Sequence, residues 1–256
     1  MKQHLLSDES KKFIDDLRLY LFSSGKNDQE IKEITEELED HLYEAELSGK
    51  SIERIIGASP KEYMMSISTE MKTDYKAWAK YIPLIIIGAM SFSVFGDLQQ
   101  GTLRYSLLKI IGTLVYSIIF LVGVFTAFRY MASNQVSKIK EFFILLLPIF
   151  ISTLFFGGIL IADSIYHTPI VDFDILGSII IGILFLCFVV LFSIWTKTAI
   201  LPVILIALHL PTILLSLTSF NKGTQLIIGF VITYLLIGLY LLYVVKKEKG
   251  KIKIIE

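Results

Sequence analysis

The stretch from Phe142 to Ala162, FFILLLPIFISTLFFGGILIA, runs for 21 residues without a charge. A helix needs about 20 apolar residues to cross the hydrocarbon core of a bilayer, so this segment has the length and composition of a membrane span. Working outward from it, five more stretches meet the same test: Trp78 to Phe95, Leu107 to Phe128, Leu176 to Trp195, Ala199 to Leu217 and Leu226 to Val245. Their apolarity is continuous instead of alternating, which selects helices over the strands of a barrel. Between the fourth and fifth lie only Thr196, Lys197 and Thr198, which predicts a tight hairpin. With 54% of 256 residues hydrophobic and a mean hydropathy of +0.66, a simple soluble chain is excluded.

The formal charge is zero, 24 bases against 24 acids, but residues 1–80 hold 17 of the acids and 12 of the bases. The first eighty residues therefore carry about −5 and the rest about +5. Basic residues near span ends stay on the cytoplasmic side. With the N-terminus inside, that side receives twelve bases: Lys72, Lys76, Lys80, Arg129, Lys138, Lys140, Lys197 and five lysines from Lys246 to Lys253. The other side receives Arg104, Lys109 and Lys222. Both termini are thus expected in the cytoplasm, and Lys72, Lys76 and Lys80 are expected to touch lipid headgroups, at about 1 kcal/mol each on an anionic surface. The chain begins with Lys2, Gln3 and His4 and lacks a signal-peptide pattern, so the first span is expected to serve as its own insertion signal. Cys187 is the one cysteine, which leaves no intrachain disulfide framework.

The first eighty residues read as a small helical head. Ser7 caps a helix carrying Phe13, Leu17, Tyr20 and Leu21 on one face, with Gly25 past its end. A second helix starts near Asn27 or Asp28 and buries Ile31, Ile34, Leu38, Leu42 and Ala45, with glutamates on its outer face as far as Gly49. Ser51 is expected to cap a short turn over Ile52 to Ile56. Ser59-Pro60-Lys61-Glu62 is a helix start, with a capping serine, proline in first position and an acid in third. The stripe Met64, Ile67, Met71, Tyr75 and Trp78 predicts that this last helix runs on into the first span, with Pro83 as a kink. The expected organisation is all-α: a cytoplasmic helical domain over 1–76, a six-helix transmembrane region over 77–246 and a basic cytoplasmic tail over 247–256.

The segment Glu37-Leu38-Glu39-Asp40-His41-Leu42-Tyr43-Glu44-Ala45, then Gly49-Lys50-Ser51, Ile52, Ile56-Gly57 and Ser59-Pro60-Lys61-Glu62-Tyr63, resembles the HAAS-type signalling domain over residues 7–72. Such domains are helical modules at the cytoplasmic N-terminus of bacterial membrane proteins, often accompanied by PadR-like winged-helix transcription regulators. The resemblance implies a PadR-like protein partner for the acidic face from Glu30 to Glu46, with Glu37, Asp40, His41 and Glu44 as the partner-binding residues. It carries no catalytic residues.

Other motifs give little chemistry. Ser48-Gly49-Lys50-Ser51 lacks the glycine and preceding strand of a phosphate-binding loop and reads as two helix caps. Glu37, His41 and Glu44 share a face but lack the cysteine or second histidine that would complete a metal site. The far-side loop, with Asp163, His167, Asp172 and Asp174, is oxygen-rich and could sense an external cation or cationic peptide. His209 is the one histidine inside a span. Neither HExxH nor GxSxG nor an intact nucleotide fingerprint is present, so neither catalysis nor a cofactor is expected. The head's excess of acid speaks against direct nucleic-acid binding. Signalling without catalysis is the preferred reading. A permease or exporter subunit lacking its own nucleotide-binding domain is the rival. A homo-oligomeric scaffold is a third, because Ser178 with Gly182 and Gly158 with Ala162 suit close helix packing.

Overall fold

The computed structural model describes residues 6–57, 59–134 and 136–253, with the side chains of Ala77, Lys80, Val245 and 247–253 outside that description. The head comprises α1 (Asp8–Ser23), α2 (Asp28–Leu47), α3 (Glu53–Ile56) and α4 (Pro60–Glu70). Six apolar helices follow: α5 (Tyr75–Leu98), α6 (Leu107–Asn134), α7 (Lys138–Ile165), α8 (Ile175–Thr196), α9 (Ile200–Ser216) and α10 (Lys222–Lys253). Two three-residue strands, β1 (Arg104–Ser106) and β2 (Ile170–Asp172), pair in the connections. The backbone of the expected tail continues α10 as far as Lys253.

Five of the apolar helices are long enough to cross a membrane. The sixth, α9, has 17 residues and spans roughly 26 Å, a little short of a typical hydrocarbon core. Leu184, Leu191 and Leu226 are each more than 60% exposed. Helices this apolar and this exposed are stable facing lipid, where no apolar surface has to be hidden. The hairpin between α8 and α9 is as tight as expected: Lys197 turns the chain in the left-handed region at φ 53°, and the Ser193 hydroxyl donates to the Thr198 carbonyl.

The chain divides into two compact units, residues 1–83 with 106–169, and 84–105 with 170–256. In the first, the head is built around Ile14, Leu17, Leu21 and Leu42, all fully buried, with Leu38, Ile56 and Met64 beside them. Local signals set its helices: Ser7 accepts from the Ser10 N–H, Asn27 from Gln29 and Glu30, and Ser59 from Glu62 ahead of Pro60. At α3, Ile52 takes the cap position without a side-chain bond, and the Ser51 hydroxyl bonds Glu53 instead. In the same unit α6 packs along α7. Gly112 and Gly123 permit the close approach, since a Cβ would lie 2.7 Å from Ile159 at the first and 2.9 Å from Pro148 at the second.

The stripe from Met64 to Trp78 is not one helix. After Glu70 the chain turns extended at Met71, with ψ 142°, and α5 begins at Tyr75. Tertiary bonds override the helical periodicity here. Met71 is drawn into the head core, Lys26 Nζ donates to its carbonyl at 2.9 Å, and Thr73 forms an antiparallel bridge with Lys26. Asp74 N–H donates to the Gly25 carbonyl, and Asn27 Nδ2 to the Asp74 carboxylate at 2.6 Å. The segment leaving the head is thereby sewn to the α1–α2 connection. The expected single helix running from Pro60 into the first span is overturned.

In the second unit Gly182 lets Leu98 pack against α8, and the buried Ser178 hydroxyl accepts from the Leu103 N–H at 2.9 Å. Thr233 of α10 donates across to the Ala207 carbonyl of α9 at 2.9 Å. The small face of Ser178 and Gly182 is thus occupied within the chain.

Candidate functional site

On α2, Glu37, Asp40, His41 and Glu44 are all exposed, and with Glu30 and Glu33 they form one stripe that holds no lysine or arginine. The face about 120° around the helix buries Ile31, Leu38, Leu42 and Ala45, which fixes the direction in which the stripe looks.

Two acids inside the expected binding face point elsewhere. Glu39 is buried and accepts from Arg18 of α1 at 2.7 Å, and that arginine's Nε also donates to the fully buried Thr35 at 3.1 Å. Glu46 accepts from the hydroxyls of Ser7 and Ser10 and from the Ser7 N–H. Burial opposes its ionisation, but these bonds outweigh it and hold the carboxyl below the usual range. Glu39 and Glu46 therefore fasten α2 to α1, and the partner face narrows to the outer stripe. Sequence periodicity alone did not separate the two groups, because their partners lie on another helix.

The head does not stand clear of the spans within its unit. α1 packs on α6, and three rings from different helices meet there. Trp78 of α5 lies 4.6 Å from Phe125 of α6, edge to face, and 5.7 Å from Phe22 of α1. Arg129 of α6 donates to the Ser23 carbonyl at 3.0 Å, placing a cation at the end of α1, whose last turn has no base of its own. Arg129, legible in the sequence only as a topology anchor, is thus a docking residue.

Two turns back along α1, Asp16 is pushed up to about 6. Burial is the main cause, with Asp15 and Glu141 of α7 adding repulsion and Lys12 opposing it. An acid raised in the folded state favours folding below its unfolded value of 3.8, and that contribution is lost as pH rises through about 6. The unfolding temperature of the full chain should accordingly decline between pH 4 and 7, and Asp16→Asn should flatten that slope and raise stability at pH 7.5. An unchanged slope would show that Asp16 is ordinary when folded.

The lysines expected at the headgroups fall on different elements. Lys72 lies exposed in the 71–74 turn and Lys76 exposed on α5, so they do not share a helical stripe; the Lys80 side chain is outside the described residues. In the far-side loop, α7 continues to Ile165 and takes in Asp163, while His167 is exposed in the connection after it. Asp172 pairs with Arg104 at 2.7 Å, and Asp174 caps α8 by accepting from the Gly177 N–H at 2.7 Å. Among the described residues no group of three or more His, Cys, Asp or Glu is arranged to hold a metal.

The sequence reading passed over a polar group in the second unit. α5 continues past the expected end at Phe95 to Leu98, which brings Asp97 into its last turn. Tyr105 lies against that acid, and burial followed by the Asp97 charge pushes its phenol up. Gln99 Nε2 bonds His209 Nδ1 of α9 at 2.7 Å. The polar run Asp97 to Gln99 was the available signal, but a fall in hydropathy there reads equally as the end of a span.

A helical head with an outward acidic face, joined to a set of lipid-facing apolar helices, defines a multi-pass membrane protein. Residues 90–207 match the family model described as the HAAS transmembrane region, which with the apolar helices fits a multi-pass membrane protein. The matched residues do not overlap residues 7–72, where the head resembles the HAAS-type domain, so the two observations are independent. The chain matches no curated protein and no solved structure.

Proposed function

We propose that this protein signals without catalysis, and that the outer stripe of α2 binds a basic surface on a cytoplasmic partner, a PadR-like regulator in a bacterial cell. The observation that carries the reading is the exposed line Glu37, Asp40, His41 and Glu44, which contains no lysine or arginine, on a helix where Glu39 and Glu46 are instead tied to α1 and its cap. Both termini lie in the cytoplasm on this reading, supported by the twelve-to-three distribution of basic residues. Acid-to-base recognition of this kind speeds encounter and weakens with salt.

The test is binding of a purified PadR-like regulator to the full chain in lipid nanodiscs. Glu37→Lys, Asp40→Lys and Glu44→Lys together place like charges across the contact and should weaken binding about 100-fold. Arg18, Glu39 and Glu46 remain intact in that variant, so the head stays folded. Equal binding by the wild type and the triple variant would refute the proposal, as would unchanged target transcription after the exchange.

A further inference from the structure

We propose that the crevice between α6 and α7, at the end that touches the head, binds one molecule of anionic phospholipid. The crevice encloses about 950 Å³ and is walled by Gly123, Ala127 and Tyr130 of α6 and by Lys140, Leu147 and Ile151 of α7. That volume lies in the range of small-molecule sites, about 300–1,000 Å³. Its origin is geometric. The helices touch where Pro148 sits on Gly123, and toward the head the small, buried Ala127 leaves the space between them unfilled.

The chemistry of the walls changes along the crevice. Leu147, Pro148 and Ile151 line one end, whereas Tyr130, Asn134, Ser137 and Lys140 surround the other, where the α6–α7 connection leaves the spans. An apolar slot closing on a cationic, hydroxyl-bearing mouth matches an acyl chain ending in a phosphate. The lining residues Tyr130, Leu147 and Ile151 are exposed, and in a membrane span such side chains face lipid, so the occupant comes from the bilayer. Charge selects the headgroup: Lys138, Lys140 and Arg129 stand at this end, where the acids are Glu141 of α7 and, facing it, Asp16 of the head, whose raised pKa reduces its charge. Basic pockets between membrane helices at the interface take anionic headgroups for this reason. Phe125 and Arg129 hold the head on the same hairpin end, so the bound lipid braces the platform on which the head rests.

The experiment is native mass spectrometry of the full chain in detergent, titrated with dioleoylphosphatidylglycerol or dioleoylphosphatidylethanolamine. One phosphatidylglycerol should be retained in preference to phosphatidylethanolamine. Lys140→Gln should lower that preference about fivefold, the share of one lysine at an anionic surface. Leu147→Trp fills the slot and should reduce retention of both lipids, whereas Lys222→Gln, at the start of α10, should change neither. Thermal unfolding supplies a second reading: phosphatidylglycerol should raise the unfolding temperature of the wild type more than that of Lys140→Gln. Equal retention of the two lipids by the wild type, or a preference untouched by Lys140→Gln, overturns the proposal.

Discussion

Trp78→Ala is expected to destabilise the unit formed by the head and the α6–α7 hairpin by about 3 kcal/mol, the lower end of the usual cost of truncating a packed aromatic. The lower end applies because the indole is only half-buried. It touches Phe22 and Phe125, which are themselves 6.1 Å apart, so one truncation removes two of three ring contacts. The indole also lies over Gly25, where φ is +77° and a Cβ would sit 3.1 Å from Nε1. A glycine there satisfies both the turn and the close approach. Hydrogen exchange of the full chain in detergent is the measurement: amides at the end of α1 and around Phe125 should lose protection together, and Trp78→Phe should retain most of it. If α1 kept wild-type protection in the alanine variant, the head would not depend on this cluster for docking.

Leu42→Ala should cost about 3 kcal/mol within the head itself, the middle of the range for a fully buried leucine. Leu42 has no exposed surface and sits in the cluster with Ile14, Leu17 and Leu21. A head of roughly 70 residues has little stability to lose, so limited proteolysis of the full chain at 37 °C should cut within the first seventy residues much faster than in the wild type. The triple charge reversal on the outer stripe should show no such change, since exposed substitutions generally stay within about 0.5 kcal/mol. Comparable proteolysis of the two variants would mean that the stripe also supports the fold. The pair of variants therefore separates loss of structure from loss of a binding surface.

What the sequence made legible follows from how local each cause is. Hydropathy needs no partner to be read, so five of the six expected spans were found as helices long enough to cross, although the drop at Asp97 concealed the last turn of α5 and the helix at the fifth position is short. Helix caps are equally local, and Ser7, Asn27 and Ser59 stand where the letters put them. The break at 71–74 was hidden because Met71, Tyr75 and Trp78 keep helical spacing through it. Only Lys26 and Gly25, some 45 residues earlier, reveal that the chain is held extended there. The acids of α2 divide for the same reason. Glu37, Asp40, His41 and Glu44 could be placed on one face from spacing alone, but the removal of Glu39 and Glu46 from that face depends on Arg18, Ser7 and Ser10.

The bond from Arg129 to Ser23 joins residues 106 positions apart. At about 5–20 residues per second of synthesis, the ribosome takes roughly 5–20 s to deliver the second of them after the first. For that interval the newly made head has no α6 to rest on, and Phe22 lacks its contact with Phe125. The head's own core, from Leu6 to Met71, is complete in sequence before then, whereas its seat on α6 forms only once α6 has been made.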